Sequence, residues 1–117
     1  MPLSSQDEKT FRLLRFLERD PSLSQRDLAR ETGWSLGAVN YCLQALVAKG
    51  EVKIENFRTS DNRMKYIYVL TPKGVQKRLA LTRDFLKRKQ EEYHSIKAEI
   101  EELEAEEALL DQDHIKQ

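Results

Sequence analysis

Between Trp34 and Ala48 the chain carries no charged residue, yet Ser35, Leu36, Gly37, Asn40, Tyr41 and Gln44 crowd into this stretch. Asn and Gln amides set a donor beside an acceptor, the pair that matches one edge of adenine in the major groove. A tyrosine hydroxyl reaches a phosphate or a base, and a leucine touches a thymine methyl. A helix beginning at these residues would also turn unpaired backbone N–H groups toward a phosphate. This is the chemistry of recognition. No catalytic constellation accompanies it. Cys42 lies on an apolar stripe, where a thiol is expected to pack and stay inert. His94 and His114 have no cysteine or second histidine near them, so metal binding is not expected. The glutamates of the C-terminal third form no paired-carboxylate site, and no glycine-rich loop cradles a phosphate. The chain is therefore expected to be no enzyme and to need no metal or other cofactor.

Those side chains need a scaffold, and the chain spells one out. Ser5 is the expected N-cap, with Asp7 and Glu8 in the first turn, ahead of Phe11, Leu13, Leu14, Phe16 and Leu17 at helical spacing. Asp20-Pro21 ends this first helix, because the residue before proline disfavours the α region. Ser24 caps a second helix, with Asp27 completing an imperfect capping box and Leu28 and Ala29 on its buried side. Thr32-Gly33-Trp34 breaks it, and glycine permits the sharp turn. Ser35 caps a third helix running to about Lys49, stopped by Gly50. Its buried stripe is Val39, Cys42, Leu43 and Leu46. In Glu51 to Arg58, Val52 and Ile54 alternate with Lys53 and Glu55, a half-covered strand. Thr59 to Asn62 is turn chemistry, and Tyr66 to Leu70 is a second strand rich in β formers. Thr71 caps a last helix with Pro72 at its first position. Nothing after Gly74 interrupts it, so it can run for about 35 residues or more.

The fold class is mainly α with a small β-hairpin (α+β): a winged helix-turn-helix followed by a long C-terminal dimerisation helix. The domains are expected at 5–72 for the winged part and 73–112 for the helix, with 1–4 and 113–117 as flexible termini. In such a motif the N-terminal half of the second helix enters the major groove. Ser35, Leu36, Gly37, Asn40, Tyr41 and Gln44 are the residues expected there. Because that helix is uncharged, phosphate contacts must come from Arg26, Arg30, Lys49, Lys53, Arg58 and Lys65. An arginine on the thin wing, Arg63, suits a narrow minor groove, whose negative potential attracts it. Asp61 either orients that guanidinium or serves as a turn residue.

Several stretches resemble the helix-turn-helix of MarR-type regulators: Leu23-Ser24-Gln25-Arg26-Asp27-Leu28-Ala29, Gly33-Trp34-Ser35, and Ala48-Lys49-Gly50-Glu51-Val52. Asp61-Asn62-Arg63 and Leu70-Thr71-Pro72-Lys73-Gly74 resemble that family's wing and its exit into the next helix. Leu81-Thr82, Phe85-Leu86-Lys87-Arg88-Lys89 and Glu92-Tyr93 are similar to a narrower group, small MarR-like regulators associated with exopolysaccharide gene clusters. The resemblance implies a bacterial transcriptional regulator, with Asp61 and Arg63 as the wing pair and Arg63 in the minor groove. The chain departs from larger members in two ways. The stretch between Arg63 and Leu70 is one residue longer, which leaves the strand register open. The long N-terminal dimerisation helix and the second C-terminal helix are missing. Those helices help build an effector pocket, so a small-molecule effector is not expected.

The last helix carries a second pattern. Val75, Leu79, Thr82, Leu86, Lys89, Tyr93, Ile96, Ile100, Leu103, Glu107 and Leu110 alternate by 4 and 3, a heptad seam broken by Lys89 and Glu107. A lone helix with one apolar stripe is marginal in water. A homodimer through Leu79, Leu86, Tyr93, Ile96, Ile100, Leu103 and Leu110 is expected, because two-fold pairing offers two reading heads to a palindromic site. Folding back over the winged domain, or a different partner chain, would also cover the stripe. Lys73 to Lys89 holds seven basic residues against Asp84 alone, whereas Glu91 to Gln117 holds 10 acidic and 2 basic residues. Antiparallel pairing would set basic against acidic.

The whole chain has a formal net charge of zero, but residues 1–90 carry 18 Lys+Arg against 10 Asp+Glu. A basic body with an acidic tail fits nucleic acid at the body and another partner at the tail. The single cysteine and the absence of an apolar N-terminal run fit a reducing, cytoplasmic setting without a membrane. Two functions remain: sequence-specific double-stranded DNA binding by a transcriptional regulator, or a winged-helix protein-interaction module with an acidic coiled coil. DNA binding expects basic residues of the second helix and wing on one face with Asn40 and Gln44. The interaction module expects an exposed apolar patch there. A nonspecific RNA or chromosome binder would usually carry a stronger basic excess or stacking aromatics.

Overall fold

The computed structural model describes residues 4–115, in the order α1 (Ser5–Arg19), α2 (Gln25–Thr32), α3 (Leu36–Ala48), β1 (Val52–Arg58), β2 (Met64–Leu70) and α4 (Pro72–Ile115). The flexibility expected of 1–3 and 116–117 lies outside the described residues. The chain divides into two compact units, Met1–Arg83 and Asp84–Gln117.

Polar caps set the helix starts. Ser4, not Ser5, caps α1: its hydroxyl accepts from the Asp7 N–H (3.0 Å), and the Asp7 carboxylate accepts from the Ser4 N–H (3.4 Å). The expected cap moves back one residue because Asp7 closes a reciprocal box with Ser4. The same box joins Ser24 and Asp27 ahead of α2, where the Asp27 carboxylate accepts from the Ser24 N–H at 2.9 Å. Ser35 caps α3 through the Ala38 N–H. Gly33, at φ 76°, ends α2 in the left-handed conformation that a Cβ would oppose.

The core of the first unit is built from Leu13, Leu14 and Leu17 of α1, Leu28 of α2, and Val39, Cys42, Leu43 and Leu46 of α3, closed by Val52, Tyr68 and Leu81. The four buried residues of α3 are those of the expected stripe. Packing of these apolar faces holds the short helices, since eight residues of α2 would not be stable alone.

The hairpin is antiparallel and in continuous register from Val52↔Leu70 to Arg58↔Met64. The register left open by the sequence is thus seven consecutive pairs. β2 begins at Met64, two residues before the expected Tyr66, since the added Met64 and Lys65 pair with Arg58 and Phe57. Alternate residues share a face. On one face Val52 and Tyr68 are buried, but Ile54, Met64 and Tyr66 are exposed. Ile54, expected on a covered face, is 44% exposed because the core ends at the hairpin base.

That base is clasped to α4. The Thr71 N–H donates to the Glu51 carbonyl (3.1 Å), and the Thr71 hydroxyl caps α4 by accepting from the Gly74 N–H. A Cβ at position 74 would lie 1.9 Å from the Glu51 carbonyl oxygen, so only glycine fits. Lys73 Nζ donates to the Lys49 carbonyl (2.8 Å), placing a cation at the end of α3 that favours one. Arg78 pairs with Glu18 of α1 at 3.0 Å. In the second unit α4 continues as helix, and every side chain described from Lys89 onward is exposed. Among the described residues no helix is long and apolar enough to cross a membrane.

Candidate nucleic-acid interface

α3 divides cleanly. Val39, Cys42, Leu43 and Leu46 are buried, while Ser35, Leu36, Gly37, Asn40, Tyr41 and Gln44 are all exposed. Tyr41 is 71% exposed and Leu36 45%, values that for large side chains on a rigid helix mark a surface left open. The exposed set is the one picked out by residue type in the sequence.

A hydrogen-bond chain, unanticipated from the sequence, fixes Asn40. Gln25 Nε2 donates to Asn40 Oδ1 (3.1 Å) and to the Tyr68 hydroxyl oxygen (2.8 Å). One amide thereby ties the first turn of α2 to the middle of α3 and to β2. Asn40 keeps its own amide N–H groups for other acceptors. The signal was faint: a glutamine at the first position of a helix, and a tyrosine whose strand parity places it beside Val52 on the inward face. Arg12 is a second unanticipated contributor. Its guanidinium lies 5.3 Å from the Trp34 ring centroid and donates to the Thr32 carbonyl (3.4 Å), bracing the turn between α2 and α3.

The residues expected at phosphates lie on α2, at the end of α3 and on the hairpin strands. Arg26, Arg30, Lys49, Lys53 and Arg58 are exposed, and Lys65 is half-buried. Arg30 pairs with Asp27 at 2.8 Å and Lys53 with Glu55 at 3.0 Å, both in the open. The Asp27 carboxyl is held below its ordinary value, chiefly by the Ser24 N–H and hydroxyl, with the charges of Arg30 and Lys65 adding to the effect.

At the far end of the hairpin, about 20 Å from its base, Asp61 and Arg63 meet at 3.5 Å, both largely exposed. Asp61 also accepts from the Thr59 hydroxyl, which holds its carboxyl below the usual value. It serves both roles left open by the sequence, turn residue and guanidinium partner. Arg58 donates to Asn62 Oδ1 (3.0 Å), and Asn62 takes φ 64°. The tip is thus held by local polar contacts and presents Arg63 to solvent.

The expected seam lies on α4 in both units. Leu79, Leu86, Tyr93, Ile96, Ile100, Leu103 and Leu110 are 48 to 69% exposed. Among the described residues no group of three or more His, Cys, Asp or Glu side chains is placed to hold a metal ion.

Residues 6–53 match a family model described as winged helix-turn-helix DNA-binding. The chain carries a winged helix-turn-helix domain. No curated protein sequence matches the chain. Solved structures do. Staphylococcus aureus MarR in complex with salicylate and kanamycin superposes with a TM-score of 0.57 at 18% identity, over 70% of this chain and 53% of that one. The PcaV transcriptional regulator of Streptomyces coelicolor, solved with its natural ligand, gives 0.59 at 19%, over 75% and 59%. The S. aureus MepR–DNA complex gives 0.58 at 21%, over 86% and 76%. The chain spans little more than half the length of the first two, and at these identities the likeness speaks for the winged fold alone.

Proposed function

We propose that this chain is a transcriptional regulator that binds double-stranded DNA sequence-specifically as a homodimer. The observation that carries the proposal is the split of α3 into a fully buried face and an open face bearing Asn40, Tyr41 and Gln44. In this reading α3 lies in the major groove, where Ser35, Leu36, Gly37, Asn40, Tyr41 and Gln44 meet base edges. Arg63, oriented by Asp61, enters the flanking minor groove. Arg26, Arg30, Lys49, Lys53, Arg58 and Lys65 contact phosphates, Arg30 and Lys53 by exchanging their carboxylates for them. Support comes from the family model, which is one of DNA-binding domains, and from a fold neighbour solved on DNA. The exposed seam of α4 pairs two copies. The resemblance of residues 81–93 to the exopolysaccharide-associated group makes such gene clusters the proposed targets, and a bacterial cytoplasm the setting.

The test is a titration of DNA from upstream of the chain's own gene at two salt concentrations, for wild type, Arg63→Ala and Asn40→Ala. Saturable binding tighter than to random DNA, weakened by salt and by each substitution, is expected. Affinity equal to that for random DNA, untouched by Asn40→Ala, would overturn sequence-specific recognition at that site.

A further inference from the structure

The seam of α4 is interrupted by two charged residues of opposite sign, and their spacing carries orientation. Within the second unit the seam reads Leu86, Lys89, Tyr93, Ile96, Ile100, Leu103, Glu107 and Leu110. The described members are all exposed, with Tyr93 at 61%, Ile96 at 55%, Ile100 at 49% and Leu103 at 62%. In an antiparallel two-helix coil, an a-type residue of one helix layers against a d-type residue of the other. Aligning two copies about the midpoint of Ile96 and Ile100 satisfies that rule throughout. Leu86 then meets Leu110 of the other copy, Tyr93 meets Leu103, and Ile96 meets Ile100. Lys89 meets Glu107, twice. Every apolar seam residue of this stretch faces an apolar one, and the two seam charges answer each other.

Parallel pairing at the same seam would set Lys89 against Lys89 and Glu107 against Glu107. Like charges opposed across an interface cost several kcal/mol. The outer flanks do not decide the matter. The antiparallel arrangement brings Glu92 near Glu106 and Lys97 near Lys97, but Arg83 near Asp111. The parallel one brings Glu92 near Lys97, but Glu99 near Glu104. Exposed flanking pairs contribute only about 0.2–1 kcal/mol each and largely cancel. The seam charges dominate because they sit between apolar layers, where a charge needs its partner. Lys89 meanwhile holds Glu92 at 3.1 Å on the exposed surface, a pair weak enough to be exchanged.

We infer that two copies of this chain pair antiparallel through residues 86–110 of α4, with Lys89 of each copy bonded to Glu107 of the other as the element that fixes direction and register. The inference rests on the proposed homodimer and adds its geometry.

Charge reversal in the full chain tests it, read as the dimer dissociation constant by sedimentation. Lys89→Glu and Glu107→Lys are each expected to raise that constant by about tenfold or more. The double variant Lys89→Glu/Glu107→Lys restores it. A parallel pair predicts no such rescue, since single and double variants alike keep like charges opposed. Disulfide trapping supplies a second readout. Tyr93→Cys/Leu103→Cys is expected to cross-link two chains, while either single variant is not. A dimer in which each single variant cross-links to itself would overturn the antiparallel geometry and leave the homodimer standing. A chain that stays monomeric at all concentrations would overturn both, and the DNA titration would still judge the winged domain separately.

Discussion

The winged unit and the distal half of α4 are both helical, yet they are held by opposite means. In the winged unit Leu13, Leu14, Leu28, Val39 and Leu43 are fully buried, and short helices survive by packing. Beyond Lys89 no described side chain is covered, although the helix runs without a break to Ile115. Its support within one chain is local: intrahelical hydrogen bonds and side-chain pairs such as Arg88 and Lys89 with Glu92. Those two pairs hold the Glu92 carboxyl below its ordinary value, the Lys89 hydrogen bond being the larger cause. Exposed pairs of this kind are weak. The same residue types, leucine and isoleucine at helical spacing, therefore build a finished core in one region and an unfinished one in the other.

The sharpest test of that contrast is one truncation in each region. Leu43→Ala should cost about 2–5 kcal/mol, because a fully buried side chain leaves a cavity its neighbours cannot fill. Chemical denaturation of the dilute chain reads it. Ile100→Ala should leave the dilute chain's unfolding midpoint nearly unchanged and weaken only self-association. Equal losses in the dilute chain would break the comparison, showing that the distal helix already has a partner within the monomer. Gly74→Ala extends the test to the clasp. Its Cβ would collide with the Glu51 carbonyl, so destabilisation of about 1–3 kcal/mol is expected in the winged unit.

What the sequence revealed divides along the same line. The stripe Val39, Cys42, Leu43 and Leu46, the caps Ser24, Ser35 and Thr71, and the open face of α3 all follow from local spacing, and local spacing is what a sequence displays. The start of β2 and the exposure of Ile54 depend on where the core ends, which alternation cannot tell. Ser4 displaced Ser5 because both had a carboxylate three residues on, and only geometry could choose. The chain from Asn40 through Gln25 to Tyr68 joins Gln25 to residues 15 and 43 positions away, so no local pattern announces it.

That chain gives the next effect down. Gln25→Ala should weaken DNA binding by about 0.5–1.5 kcal/mol, the worth of an ordinary hydrogen bond, by releasing the Asn40 amide rather than by removing a base contact. Asn40→Ala should cost about 1–3 kcal/mol at its own base pair. The double variant sharpens the distinction. If Gln25 acts through Asn40, the double loss equals the Asn40→Ala loss alone, and additive losses would assign Gln25 a contact of its own.

The smallest effect is at the wing tip, where neither packing nor a seam is involved. Asp61 is exposed, and its carboxyl is lowered mainly by the Thr59 hydroxyl and then by backbone N–H groups. A lowered folded-state pKa means that the carboxylate stabilises the tip above the ordinary value of 3.8 and loses that contribution as the pH falls through the folded value. Thr59→Ala should therefore move the Asp61 titration back up, measured by NMR on the carboxyl carbon, with the melting temperature near pH 7 almost unchanged. Asp61→Asn should likewise spare stability, since an exposed pair at 3.5 Å is screened by water. Its effect belongs on DNA. With Arg63 released from its partner, the arginine should select minor-groove width less sharply, while the lost negative charge raises affinity for random sequence. Discrimination between operator and random DNA would fall although total binding does not. A wing whose only task is to hold the hairpin together would show no such separation.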